Sequence, residues 1–393
     1  MTFGRHGVET FEYLRREVTD WRRYLHENPE LTYQVDNTAR FVTEKLASFG
    51  IKHIETGIAE AGIVALIEGG SGGGRTIGLR ADMDALPILE ASKKPWASKI
   101  PGKMHACGHD GHTAMLLGAA KYLANTRNFK GSVALIFQPA EEADLGGQRM
   151  VDEGIMDRFG ISQVFGMHNM PGMTVGKFGI RAGPIMAALD EFDIIVKGRG
   201  GHAAKPHQNI DPIVIAGQVI VGLQTLVSRS TDPTESLVIS ITRLSAGEAY
   251  NIIPDQVEMA GTVRTLAPVL RDFAEGQIEA FAQGIASAFG GEIEFNYRRH
   301  VPVTFNHAKE TDLAITAALK VVGPGSVNDT IKPAMGSEDF AFMLEARPGA
   351  FIFLGNGSSA ALHNSLYDFN DDAIPYGVGY WVNLVETALT FGT

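Results

Sequence analysis

Residues 133–142 of the chain have the sequence VALIFQPAEE. The first five residues are all apolar, and a short continuous apolar run is typical of a strand that is buried on both faces of a sheet. Helical patterns flank this run at residues 113–124 and 147–152, and a further apolar run follows at 164–167. This alternation predicts an α/β fold with a mainly parallel sheet that is covered by helices.

The composition agrees with a large folded protein. The 393 residues are 45% hydrophobic and 20% charged, which is enough apolar material for two or three domains. The formal net charge of −11 argues against nucleic acid or an anionic membrane as a partner. Cys107 is the single cysteine, so no intramolecular disulfide can form, and no targeting segment or spanning stretch is visible. We therefore expect a cytoplasmic protein.

A different pattern begins after residue 184. Between residues 192 and 297 the order is strand, helix, strand, strand, helix, strand, which is the ferredoxin-like arrangement. The mixed α/β style returns near residue 313. We predict an inserted domain at residues 185–297 and a catalytic domain formed by residues 1–184 and 298–393.

A glycine-rich stretch at residues 69–74 separates two apolar runs, at 63–67 and 76–79. A phosphate-binding glycine loop is followed by a helix, whereas a strand pattern follows this one. The arrangement therefore predicts a β-hairpin with a flexible tip.

Side chains with metal-ligand chemistry follow several predicted strands or open the helix after residue 108. In an open α/β sheet the active site lies outside the carboxyl ends of the strands, so we expect these side chains to converge. The candidate ligands are Cys107, His109, Glu142, His168 and His363. Taken singly, Cys107 and His109 also fit a buried thiol beside a capping histidine, and adjacent glutamates also fit a solvated helix start.

Five protein ligands are suited to two divalent ions that share a bridging water or thiolate. Paired ions about 3.5–4 Å apart polarise a carbonyl group and lower the pKa of a shared water. Glu141, next to the candidate ligand Glu142, is then the natural proton shuttle. Asp82 and Asp84 would orient the imidazole rings from outside the ligand set.

Together these residues resemble the aminoacylase/carboxypeptidase family of di-metal hydrolases, and within it the amidohydrolase branch that includes hippurate hydrolase and the indole-acetyl-amino-acid hydrolases. The resemblance extends over almost the whole chain. Its motifs include HENPEL at 26–31, RADMDALP at 80–87, MHACGHDGH at 104–112, FQPAEE at 137–142, MHN at 167–169, GGHAAKPH at 200–207, NIIPD at 251–255 and SEDF at 337–340.

The resemblance assigns roles by position. The five candidate ligands match the metal ligands of this branch, and Glu141 matches its general base. Asp84 matches an orienting aspartate. His202 matches a histidine that reaches into the partner's active site, and Asn251 and Arg264 match substrate contacts.

The family also pairs subunits through the inserted domain, which implies a homodimer or a larger assembly. Other members have an aspartate in place of Cys107 and a histidine in place of Asp82. The metal therefore stays open among manganese, zinc, cobalt and nickel. From the residues alone, His202 also fits a turn histidine, and Arg264 also fits a surface ion pair.

These observations predict a metal-dependent amidohydrolase that cleaves N-acyl amino acids into a carboxylic acid and a free amino acid. Glu141, Asp84 and His202 are the predicted catalytic residues. A dipeptidase or carboxypeptidase of the same family is the nearest alternative. Two further alternatives are an amidase that uses Cys107 as its nucleophile and a metal- or ligand-binding protein without turnover.

Overall fold

A computed structural model describes residues 6–390 of the chain. The strands in this part are β1 (His53–Ile58), β2 (Gly62–Glu68), β3 (Thr76–Asp82), β4 (Ser132–Gln138), β5 (Ile161–Pro171), β6 (Phe178–Gly179), β7 (Gly183–Met186), β8 (Ala188–Lys197), β9 (Gly201–His202), β10 (Leu237–Ala246), β11 (Ile252–Ile253), β12 (Gln256–Thr265), β13 (Glu292–Val301), β14 (Thr304–Asn306), β15 (Val327–Asn328) and β16 (Gly349–Gly357).

The α-helices of the same residues are α1 (Arg15–Glu27), α2 (Asp36–Ser48), α3 (His109–Thr126), α4 (Gly146–Asp152), α5 (Ile155–Arg158), α6 (Pro212–Thr225), α7 (Pro268–Ala288), α8 (Ala308–Val322), α9 (Ala341–Ala346) and α10 (Ile374–Ala388). Short 3-10 turns occur at Val8–Leu14, Pro206–Gln208 and Asp371–Ala373, and a π-helical turn at Leu226–Ser230 extends α6.

The chain forms two compact units. Unit 1 lies within Met1–Gly183, Phe305–Lys332 and Asp339–Thr393, and unit 2 lies within Pro184–Thr304 and Pro333–Glu338. The sequence analysis placed the insert at residues 185–297. Unit 2 extends beyond that range, because β13 continues to Val301 and a second short segment joins it.

An eight-stranded sheet with the order β1-β2-β4-β3-β5-β16-β6-β15 forms the centre of unit 1. Its middle strands β4, β3, β5 and β16 run parallel to one another, and they are almost entirely buried. The prediction of a mainly parallel α/β sheet is therefore confirmed. Helices α1, α3 and α10 contribute apolar side chains such as Val18, Leu116 and Trp381 to the core beside it.

The predicted hairpin of β2 and β3 is wrong. Strand β4 lies between them, antiparallel to β2 and parallel to β3. Both runs are nearly continuous in apolar residues and buried, so each is stabilised by a partner on both edges rather than by its neighbour in sequence. Strand β1, which has the polar sequence HIETGI, covers the outer edge of β2 and has no apolar run that would reveal it.

Unit 2 contains a four-stranded antiparallel sheet with the order β10-β12-β8-β13. With α6 between β8 and β10, and α7 between β12 and β13, the chain follows the predicted ferredoxin-like order. Phe192, Val219 and Ile278 lie in the core of this unit.

Residues Pro212–Ser230 form the one helical stretch among the described residues that is long and apolar enough to cross a membrane. Those criteria are length and composition alone. Ile215, Val219 and Leu223 on this stretch are buried within unit 2. The stretch therefore has the buried apolar face of a helix in a globular domain.

Candidate metal centre

The site in unit 1 forms where the parallel strands end. Strand β3 ends at Asp82 and β4 ends at Gln138, and the Met83 N–H donates to the Gln138 carbonyl at 2.8 Å. Glu141 and Glu142 follow β4, and His168 lies near the end of β5, which pairs with β3 on its other side. Because neighbouring parallel strands end at the same edge, these side chains are brought together.

Cys107 and His109 reach the same edge from the segment that precedes α3. Gly108 has a φ of 92°, which favours glycine, and α3 begins immediately after it at His109. The sequence pattern predicted a helix from residue 113. In the structure α3 begins earlier, so His109 lies on its first turn. His363 comes from the loop after β16, and its N–H donates to the Ala106 carbonyl at 2.9 Å.

The structure brings all five predicted ligands together in two overlapping groups. In each group the potential ligand atoms lie within 4.8 Å of one another. The first group is Cys107, His109 and His168, and the second is Cys107, Glu142 and His363. Cys107 belongs to both groups, so its sulfur lies where one thiolate can contact two cations.

Hydrogen bonds leave the histidine Nε2 atoms available to a cation. His109 Nδ1 donates to the Asp84 carbonyl at 2.8 Å, and His168 Nδ1 donates to the Asn169 carbonyl at 2.6 Å. In the neutral rings each Nε2 therefore carries a lone pair. Among the described residues, His109 Nε2 and Glu142 Oε1 are buried and have no hydrogen-bond partner. Buried acceptors without donors are costly, and divalent cations would satisfy them.

The electrostatics of the cluster favour a cation over a cysteine nucleophile. Burial raises the pKa of the Cys107 thiol, and the Glu142 carboxylate raises it further. Burial also lowers the pKa of His168, whose Nε2 is 3.4 Å from the sulfur. A neutral thiol beside a neutral imidazole is a weak nucleophile, whereas a bound metal ion deprotonates a thiol.

Glu142 and His363 form an ion pair, with 3.2 Å between Oε2 and Nε2. Burial raises the pKa of Glu142, but the hydrogen bond from His363 and the electrostatic interactions with His109 and His363 together outweigh burial, and the net shift is downward. The same bond raises the pKa of His363. The carboxylate is therefore ionised, as a metal ligand must be.

Asp84 holds the glutamate pair in place. Its two carboxylate oxygens accept hydrogen bonds from the backbone N–H groups of Glu141 and Glu142, each at 3.1 Å. We expected Asp84 to orient an imidazole ring, and its backbone carbonyl contacts His109 in that way. Its carboxylate does the same, with Oδ1 3.4 Å from His109 Nδ1, and in addition it fixes the segment that carries the glutamates.

Asp82 lies beside the cluster, with its Oδ2 3.6 Å from His109 Nε2. Its Oδ1 accepts from His112 Nδ1 and its Oδ2 accepts from the Arg80 guanidinium, both at 2.7 Å. The Asn169 N–H donates to His112 Nε2 at 3.0 Å. Both ring nitrogens of His112 are thus engaged, which leaves it no lone pair for a metal.

The sequence pattern did not predict a buried hydrogen-bond network around His26. His26 Nδ1 lies 2.8 Å from Asp110 Oδ2, one residue beyond His109 in the chain. Burial opposes protonation of His26, but the Asp110 carboxylate and a bond to Glu90 raise its pKa to about 9. The motif at residues 26–31 was the only signal in the sequence, and it does not indicate the partner.

The remaining predicted site residues belong to unit 2. His202 and Asn251 are exposed, and His202 Nδ1 accepts a hydrogen bond from the Ala204 N–H at 3.1 Å. Arg264 is partly buried, which lowers the pKa of its guanidinium. Its Nη1 lies 3.2 Å from Ser337 Oγ, and no carboxylate in the described chain is within ion-pair distance of it.

The chain is similar to known proteins over most of its length. Residues 78–387 match the model of peptidase family M20/M25/M40. Hippurate hydrolase of Campylobacter jejuni is 42% identical over 371 residues, which are 94% of this chain and 96% of the relative. Thermostable carboxypeptidase 2 of Saccharolobus solfataricus is 39% identical over 384 residues, covering 94% of this chain and 96% of that protein.

A crystal structure of a Bacillus subtilis protein, described as a dinuclear metal-binding peptidase of the M20 family, is similar with a TM-score of 0.86. It is 36% identical in sequence, and the alignment covers 97% of this chain and 99% of that protein. The family match and the full-length similarity to its members lead to one assignment: the chain belongs to peptidase family M20/M25/M40 and is a hydrolase that acts on amide bonds.

Proposed function

We propose that this protein is a metal-dependent amidohydrolase that cleaves N-acyl amino acids into a carboxylic acid and a free amino acid. The observation that carries the proposal is the pair of ligand groups that share Cys107. Beside it, His109 Nε2 and Glu142 Oε1 are buried and lack a hydrogen-bond partner in the part of the chain that the structure describes. The similarity to a hippurate hydrolase, whose name describes an N-acyl amino acid substrate, supports this substrate class.

Two divalent ions fit the two groups. Cys107, His109 and His168 would hold one ion, and Cys107, Glu142 and His363 would hold the other. The dinuclear metal-binding relative supports this number. When bound, paired cations polarise an amide carbonyl and lower the pKa of a water molecule. Imidazole and carboxylate ligands suit manganese or zinc, with cobalt or nickel as further candidates, and the thiolate favours the softer ions.

Glu141 is the proposed general base and acid. Its Oε2 lies 4.0 Å from His109 Nε2, so the carboxylate is at the cluster, while its neighbour Glu142 belongs to the ligand set. Asp84 fixes the Glu141 backbone and with it the direction of the side chain. In this role Glu141 takes a proton from the attacking water and delivers it to the nitrogen of the leaving amino acid.

Residues of unit 2 are proposed to bind the substrate. His202 Nδ1 accepts a hydrogen bond, so Nε2 carries the proton and can donate to the developing oxyanion. Arg264 lacks a carboxylate partner among the described residues and can bind the substrate carboxylate through two parallel bonds. Asn251 is the proposed third contact.

We also propose that the protein is a cytoplasmic homodimer that pairs through unit 2, and larger assemblies would contain that dimer. Helix α6 exposes Ile213, Val214 and Val221, and Leu244 on the edge strand β10 is also exposed. An exposed apolar face of this kind is typical of an interface. Sedimentation of the unaltered protein and of Val221→Asp tests the dimer, which a monomeric unaltered protein would exclude.

A carboxypeptidase or dipeptidase activity is the second candidate, because one close relative is named a carboxypeptidase. A panel of N-acetyl, N-benzoyl and dipeptide substrates, assayed with each metal restored, separates the two. We expect the highest kcat/KM for an N-acyl amino acid. A higher value for a dipeptide would favour the second candidate, and no hydrolysis of any amide would favour a protein that only binds metal.

A further inference from the structure

We propose that Asn169 and Tyr367 form a clamp that holds the metal-binding loop at residues 104–108 against His168, and that this clamp sets the affinity of the centre for metal. Both are positioning residues, since they act through Cys107 and His168 and are not ligands themselves. The inference rests on the proposed metal centre and deepens it.

Asn169 is fully buried and uses every polar atom of its side chain. Its Nδ2 donates to the Cys107 carbonyl at 2.5 Å and lies 3.1 Å from His112 Nε2, and its Oδ1 accepts from the Tyr367 hydroxyl at 2.8 Å. Its own carbonyl accepts from His168 Nδ1. One residue thereby contacts both Cys107 and His168, whose Sγ and Nε2 atoms lie 3.4 Å apart.

Tyr367 extends the clamp to the segment that carries His363. It is fully buried, and its N–H donates to the Asn364 carbonyl, one residue after His363. The hydroxyl of Tyr367 therefore connects this segment to β5 through Asn169. The side-chain amide of Asn169 therefore joins Cys107 and Tyr367, which are far apart in sequence.

The clamp also closes on Gly108, between Cys107 and His109. A Cβ atom built on Gly108 would lie 2.3 Å from Asn169 Nδ2 and 2.5 Å from the Tyr367 hydroxyl. Asn169 and Tyr367 therefore leave room only for glycine at position 108. The loop that carries Cys107 and leads into His109 is thus held by packing as well as by hydrogen bonds.

Removing the Tyr367 hydroxyl would leave Asn169 Oδ1 buried without a donor and free the amide to rotate away from Cys107. Residues that orient metal ligands in this way typically change metal affinity about 10- to 100-fold when they are replaced. Phenylalanine has the shape of tyrosine without the hydroxyl, so the packing is preserved. The substitution should therefore weaken metal binding rather than prevent folding.

The test is the metal affinity of Tyr367→Phe, measured by titrating zinc or manganese into metal-free protein against a competing chelator. Tyr380→Phe is the matched control, because Tyr380 is equally buried and its hydroxyl has no hydrogen-bond partner within residues 6–390. We expect affinity to fall about 10- to 100-fold in Tyr367→Phe and to remain unchanged in Tyr380→Phe. Circular dichroism and thermal unfolding of the metal-free proteins verify that both fold.

Asn169→Leu, which keeps the size of the side chain and removes all its hydrogen bonds, provides a second variant with an equal or larger expected loss. Equal affinity in the unaltered protein, Tyr367→Phe and a folded Asn169→Leu would overturn the clamp while leaving the proposed function intact. Failure of the unaltered protein to bind metal would overturn both. If Tyr367→Phe does not fold, an unchanged affinity of Asn169→Leu decides against the clamp.

Discussion

The Sγ atom of Cys107 lies 3.4 Å from Nε2 of His168, although 61 residues separate them in the chain. The lone pair of Nε2 faces the sulfur, because Nδ1 of the same ring donates to the Asn169 carbonyl. Sulfur and imidazole nitrogen are both good ligands for a borderline divalent cation. Because these two atoms lie together, we predict that metal binding depends on His168.

His168→Gln removes one ligand of the first group and should weaken metal binding by more than about 100-fold, since even outer partners of ligands contribute 10- to 100-fold. His53→Gln is the control, because His53 is exposed on β1. Titration of metal-free protein against a chelator measures both. Similar affinities for the two variants would remove His168 from the ligand set.

Glu141→Gln should leave folding and metal content unchanged and lower kcat by about 10²- to 10⁴-fold, because the amide cannot accept the proton of the attacking water. Asp144→Asn neutralises an exposed carboxylate in the same loop and should have near-normal kcat. Steady-state kinetics on an N-acyl amino acid compare the two. Near-normal turnover by Glu141→Gln would exclude it as the general base.

Arg264→Ala should raise KM for N-acyl amino acids about 10- to 100-fold, because a charge-assisted hydrogen bond contributes about 1.5–3 kcal/mol. A substrate whose carboxylate is replaced by an amide should be hydrolysed equally by both proteins. Arg229→Ala, at an exposed position of unit 2, is the control. An equal loss on both substrates would mean that Arg264 does not recognise the carboxylate.

The parts of the site that could be predicted follow from strand geometry. Continuous apolar runs indicated β4 and β5, and the ends of parallel strands meet at one edge, so the convergence of Glu142 and His168 on Cys107 was expected. The pairing of β2 with β4 rather than with β3 was not expected. This pairing depends on which strands bury each other across long sequence distances, and a local pattern does not contain that information. Asn169 and Tyr367 act on partners far along the chain, which no local pattern reveals.

His26 should make stability depend on pH. Its pKa is raised to about 9, against about 6.5 in the unfolded chain, so its contribution is complete below pH 6.5 and is lost as pH rises through 9. The difference in unfolding free energy between unaltered protein and His26→Gln should therefore shrink by about 3 kcal/mol between pH 6.5 and 9.5. Urea unfolding of metal-free protein measures this difference.

His53→Gln serves again as the exposed histidine, and its difference from the unaltered protein should be small at every pH. A difference for His26→Gln that stays constant from pH 6.5 to 9.5 would contradict the ion pair with Asp110.

The most direct measurement is the rate of N-acyl amino acid hydrolysis as metal is returned stepwise to chelator-treated protein, with the bound metal counted at each step. We predict no hydrolysis without metal and a rate that saturates at about two ions per chain. Full hydrolysis by protein that contains no metal would contradict a metal centre built from Cys107, His109, Glu142, His168 and His363.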